Sequence, residues 1–185
     1  MTSIASRLLA LSLALSFAFA GSALAQTNEA QADRAAPTPS AQTNAPDAKF
    51  VEAASAAGLA EVSLGQLGAS QGQSAEVKAF GQKMVEDHTK ANDELKTIAS
   101  GKSIPVSRAP TAADTKAAAM IGNKQGAEFD AAFKKKMVAD HEKVIKLFTK
   151  ESTSGKDPDL KAFATKLLPD LKDHLQMAQQ LPAAK

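Results

Sequence analysis

Three histidines are the only imidazoles in the chain, and each sits on a helix face that is otherwise apolar. His88 and His141 close a repeated string, Ala79-Phe80-x-x-Lys83-Met84-Val85-x-Asp87-His88 and Ala132-Phe133-x-x-Lys136-Met137-Val138-x-Asp140-His141. A third copy begins Ala162-Phe163-x-x-Lys166-Leu167-Leu168-x-Asp170, and its histidine follows one turn later, at His174. Glu61 occupies a similar core-face position further upstream. A buried polar side chain needs a partner, and four of them in one bundle need each other or a shared ligand. Neutral imidazole is the commonest metal ligand among side chains. Glu61, His88, His141 and His174 are therefore candidate ligands for one transition-metal ion, with iron, copper, zinc and manganese all open. The competing reading is a histidine–carboxylate hydrogen-bond network that knits the core without metal.

Asp87, Asp140 and Asp173 each directly precede a histidine. Adjacent helical positions point about 100° apart, so these acids are expected to orient an imidazole on a neighbouring helix or to lie on a solvated flank. Asp170 lies four residues before His174 on the same face and is a peripheral candidate. Met84 and Met137 each precede a histidine by four residues, and Met177 follows one by three. Thioether with imidazole suits copper, especially Cu(I), whereas methionine at helical spacing also simply fills a core.

The elements that must position these groups read as four long helices. The first spans about Asp47–Ala69, with Phe50, Ala54, Ala57, Glu61, Leu64 and Gly68 at three- and four-residue steps. Its Ala57, Gly58 and Gly65 allow a neighbour to approach closely. Ser74 is the expected N-cap of the second, which aligns Val77, Phe80, Met84, His88, Ala91, Leu95 and Ile98. Thr111 and Asp114 form a capping pair for a short extra helix ending near Ile121. The third long helix, about Ala127–Ser152, aligns Phe129, Phe133, Met137, His141, Val144 and Phe148. Gly155 stops it, and Asp157-Pro158 starts the fourth, which presents Leu160, Phe163, Leu167, Leu171, His174, Ala178 and Leu181 and carries Pro169 inside the pattern.

Short first and third connections make two antiparallel hairpins. The expected fold is an all-α, up-down-up-down four-helix bundle with a short helix between helices two and three, with a crossed connection left open. Measured from one common end, Glu61, His88, His141 and His174 then lie at depths of roughly 15–26 Å. A single layer drawn from four helices is geometrically available.

Residues 1–25 read as a cleaved secretory leader: Arg7, an apolar run from Leu8 to Ala20, and Ala23-Leu24-Ala25 before Gln26. Residues 26–46 are polar and Pro-containing and read as a disordered linker; residues 47–182 form the bundle. The expected location is outside the cytoplasm, periplasmic first, with outer-membrane association or secretion open. No segment of the mature chain reads as membrane-spanning. The absence of cysteine excludes disulfides, thiolate metal sites and a lipidated N-terminal Cys. A formal net charge of +2 with interleaved signs, and neither Trp nor Tyr, gives no support for nucleic-acid binding. An envelope protein partner and a homo-oligomer remain open. No serine stands in a nucleophile-elbow context, which leaves hydrolysis without a motif.

From about Lys49 to Leu181 the chain resembles the bacterial domain-of-unknown-function family 4142. The resemblance rests on Phe50-Val51-Glu52-Ala53-Ala54, Gly58-Leu59-Ala60-Glu61-Val62, Lys83-Met84-Val85-x-Asp87-His88, Glu128-Phe129-Asp130, Val138-x-Asp140-His141-Glu142, and Leu168-Pro169 with His174. It implies a ferritin-like architecture and an exported protein, with no settled activity. Ferritin-like di-iron sites use Glu-x-x-His on two helices. Here Val85, Val138 and Leu171 stand three before the histidines, so ferroxidase or di-iron oxygen chemistry is not carried over. An enzymatic role is left undecided, with a non-enzymatic one favoured.

Overall fold

The computed structural model describes residues 44–182. The leader and most of the linker lie outside them. Five helices follow in order: α1 (Ala45–Gln71), α2 (Ala75–Ser100), α3 (Ala112–Gly122), α4 (Gly126–Ser154) and α5 (Pro158–Gln180). No strand is present among the described residues. α1 starts at Ala45, two residues before the expected Asp47. The starts of α2, α3 and α5 follow the capping chemistry. Ser74 Oγ accepts from Val77 N, Thr111 Oγ1 from Asp114 N, and the Asp157 carboxylate from the N–H groups of Asp159 and Leu160. α5 runs unbroken through Pro169, which lies on its exposed face.

α1 packs along α2 and α4 along α5, as the short turns require; α1 also meets α4, and α2 meets α5. The direction of the second hairpin departs from the up-down-up-down expectation. Asp130, in the first turns of α4, accepts from Gln73 N (2.8 Å) and Ser74 N (2.9 Å) at the α1–α2 turn. Asp47, near the start of α1, accepts from Lys156 N (3.1 Å) and Asp157 N (2.9 Å) at the α4–α5 turn. The two turns therefore lie at opposite ends, and α4 runs parallel to α2. The order is up-down-down-up, with one long crossover, the connectivity that ferritin-like bundles use. The 101–125 segment is long enough to travel the bundle's length, and it does. It is pinned to α1 by Ser107 N donating to Ser55 Oγ (2.8 Å) and to α4 by Lys136 with Asp114 (3.0 Å). Along the way it places Ile104 in one core cluster and Ile121 in the other.

The hairpins are structural equivalents at a constant spacing of 83 residues: Asp47 with Asp130, Phe50 with Phe133, Gly72 with Gly155, Ser74 with Asp157, Phe80 with Phe163. Each aspartate clamps the turn of the other hairpin. The repeat linking the His88 and His141 strings has a different spacing and joins α2 to α4, which are not equivalent helices.

α1 and α2 touch backbone to backbone. A Cβ on Gly65 would meet the Gly81 carbonyl at 2.8 Å, and one on Gly81 would meet the Gly65 carbonyl at 2.6 Å. Only glycine at both positions permits this approach.

The core divides in two. One cluster, around Phe50, Leu95, Phe148, Leu160, Phe163 and Leu171, fills the end near the α4–α5 turn. The other, around Leu64, Phe80, Met84, Phe129, Phe133 and Met137, fills the end near the α1–α2 turn. Burying each such side chain contributes about 1.5–3 kcal/mol before entropy is counted. The histidines lie between the two.

A candidate metal centre between two apolar cores

Each long helix carries one polar side chain into this layer: Glu61 from α1, His88 from α2, His141 from α4 and His174 from α5, with exposures of 2, 7, 1 and 2 %. The three imidazoles form a triangle, with ring centroids 5.7 Å apart for His88–His141 and 5.5 Å for His88–His174 and His141–His174. One ring nitrogen of each lies within 4.8 Å of those of the other two. Glu61 stands apart from that triangle but borders the same cavity as His88 and His174. Its other side borders a cleft lined by Asp114 and Asp140.

Hydrogen bonds fix two of the rings. His141 Nδ1 donates to the Met137 carbonyl at 2.9 Å, one turn back on α4, which leaves the Nε2 lone pair free. His174 Nε2 donates across to the Asp87 carboxylate on α2 at 3.0 Å, which leaves the Nδ1 lone pair free. Asp87 is itself held by Lys83 at 2.8 Å. The free nitrogens, His141 Nε2 and His174 Nδ1, together with His88 Nε2 and Glu61 Oε2, are buried with no hydrogen-bond partner among the described residues. Each such group costs about 1–3 kcal/mol if left so.

Burial sets the charge state. Desolvation, with smaller contributions from the other two imidazoles, pushes the pKa of His88 down to about 3. Desolvation pushes His141 down to about 4, against the opposing Met137 carbonyl. His174 is also lowered by desolvation, with Asp87 resisting. Near neutral pH all three rings are uncharged, as metal ligation requires. Glu61 is raised well above the usual carboxylate range, first by desolvation and then by the Asp140 charge.

Of the flanking acids, only Asp87 orients a histidine. Asp140 turns instead to Lys136, at 2.6 Å, and Lys136 also reaches Asp114. Asp173 is exposed; Asp170 is exposed at the cavity rim. Met84 and Met137 are fully buried in the apolar cluster and act as packing, while Met177 is partly exposed. Sequence reading overlooked Asn92, one turn beyond His88, whose amide lies so close to Gly58 that a Cβ there would overlap it. Its spacing from His88 was the available signal. It also gave Asp47 and Asp130 no tertiary role, although an Asp three before a core Phe recurs in both hairpins.

Fold and site together define a crossover four-helix bundle with a buried three-histidine cluster capable of holding a metal ion. The chain belongs to the family described as Domain of unknown function (DUF4142), whose model matches residues 31–181. No curated protein and no solved structure matched it. Among the described residues, no helix is long and apolar enough to cross a membrane.

Proposed function

We propose that this protein is an exported metal-binding bundle that holds one transition-metal ion through His88, His141 and His174, serving metal handling or stress tolerance in the cell envelope. The observation that carries the reading is the convergence of three neutral imidazoles, each with a buried, unpartnered nitrogen. The N–H groups of His141 and His174 are already committed to Met137 and Asp87, so the single N–H of neutral His88 can satisfy only one of the two remaining lone pairs. A proton is a poor occupant, since burial pushes it off. A divalent cation satisfies all three at once. Zinc–imidazole bonds of about 2.0–2.1 Å with tetrahedral angles set the nitrogens about 3.4 Å apart, so nitrogens that now lie within 4.8 Å of one another need close by up to about 1.4 Å. The site's nitrogen ligands suit zinc, copper, iron or nickel better than magnesium or calcium. Glu61 supplies nearby charge: a cation beside it favours the carboxylate form that burial otherwise opposes. The leader-like residues 1–25 support export.

The His174–Asp87 bond also supports a second reading, a metal-free envelope module in which the histidines only knit the core. Metal analysis of the protein expressed with its leader and purified without chelators decides between them. About one equivalent of metal in wild type, absent from His88→Ala, supports the centre. No metal in the purified protein, and no difference between wild type and His88→Ala on titration with Zn(II), Cu(II) or Fe(II), rules it out.

A further inference from the structure

A cavity of about 50 Å³ adjoins the histidine cluster on the side of the α4–α5 turn. His88, His174 and Glu61 border it from the buried side, Asp87, Asn92 and Asp170 stand at its rim, and the remaining walls are apolar, among them Ala54, Phe163 and Leu171. Room for a single water needs roughly 10–15 Å³ on this measure, so the space takes a ligand of a few atoms. Three protein ligands also leave a metal with an open position, as in catalytic and not structural sites. Protein nitrogens supply one side of the ion, and the cavity lies beside them.

We propose that this cavity is a ligand chamber, which admits an exogenous molecule of two or three heavy atoms to the open position of the bound metal and excludes larger ones. The inference rests on the three-histidine metal centre proposed above. Two observations support it. The cavity lies directly against His88 and His174, two of the three ligands. The cavity also reaches the α2–α5 seam, where Asp87 and Asp170 stand at its edge. That seam is less closely packed than the two hairpins. On the α1–α2 side Asn92 lies against Gly58, so an amide borders the cavity there.

The test uses the Co(II)-loaded protein, whose visible spectrum reports coordination, with azide as the three-atom probe and imidazole as the larger one. Azide is expected to change the spectrum saturably, and imidazole to leave it unchanged. Leu171→Phe, which fills the chamber, should weaken azide binding by roughly tenfold or more, equivalent to about 1.4 kcal/mol, with Co(II) affinity held within about twofold. Leu171→Ala should let imidazole bind. Ala54→Leu replaces Leu171→Phe as the filling variant if the latter does not fold. Failure of wild type to take up Co(II), Zn(II), Cu(II) or Fe(II) removes the metal centre itself. Uptake of Co(II) with no azide response, or with an azide response that neither filling variant weakens, leaves the metal centre standing and overturns the chamber.

Discussion

His174 on α5 donates from Nε2 to the Asp87 carboxylate on α2 at 3.0 Å, and this single bond decides which nitrogen of His174 faces the cluster. Desolvation alone would raise the Asp87 pKa, but its hydrogen bonds from Lys83 and His174 win and hold it below the ordinary value. The carboxylate therefore stays charged, and the ring it holds presents Nδ1 inward.

Asp87→Ala should release that ring and weaken metal binding by about 10–100-fold, the usual effect of losing the group that orients a ligand. Asp87→Asn, which keeps an acceptor without the charge, should fall between. Chelator competition with Zn(II) measures both. An Asp87→Ala affinity equal to wild type would remove Asp87 from any role in the site.

Metal should stabilise the folded state by mass action. At a free-metal concentration of one hundred times Kd the gain is about 2.7 kcal/mol, read as a rise in Tm. His141→Ala should abolish the rise. The metal-free module predicts instead that His141→Ala lowers Tm equally with and without metal, so the metal-dependent difference is the deciding quantity.

The paired clamps should cost alike. Asp130→Ala strands the N–H groups of Gln73 and Ser74, and Asp47→Ala those of Lys156 and Asp157. Each loses two charge-assisted hydrogen bonds at a helix start, for about 1–3 kcal/mol by urea denaturation. A large cost for one and none for the other would deny the equivalence of the two hairpins.

Glu151 gives the bundle a stability slope near neutral pH. It is 5 % exposed, and its Oε1 has no hydrogen-bond partner among the described residues. Desolvation, then the charges of Asp47 and Asp157, push its pKa up to about 7, with Lys161 and Lys150 opposing. An acid raised on folding stabilises while protonated, so its contribution is full below about 4.5 and lost as pH rises through about 7. Glu151→Gln should therefore flatten that fall and stabilise the protein by roughly 1–3 kcal/mol at pH 8. Parallel stability curves for the two proteins between pH 5 and 8 would contradict it.

The sequence by itself determined which faces of the long helices are buried, where the caps of α2 and α5 fall, and that Glu61, His88, His141 and His174 point inward. Those are local properties, set by 3.6-residue spacing and by side chains that bond their own backbone. Hairpin direction was not legible, because it depends on whether the 101–125 segment closes at one end or runs the bundle's length, and its composition permits either. The layer was nonetheless found with the direction inverted, since Glu61, His88 and His141 lie near the middle of their helices, and His174, well past its turn, lies near the middle of the bundle from either end. Only the tertiary structure separated the acids that share one sequence context: Asp87 meets His174 across the α2–α5 seam, while Asp140 is captured by Lys136. It also set Glu61 on the cavity wall outside the histidine triangle. Those outcomes turn on distances of an ångström or two between helices, which no spacing within a single helix encodes.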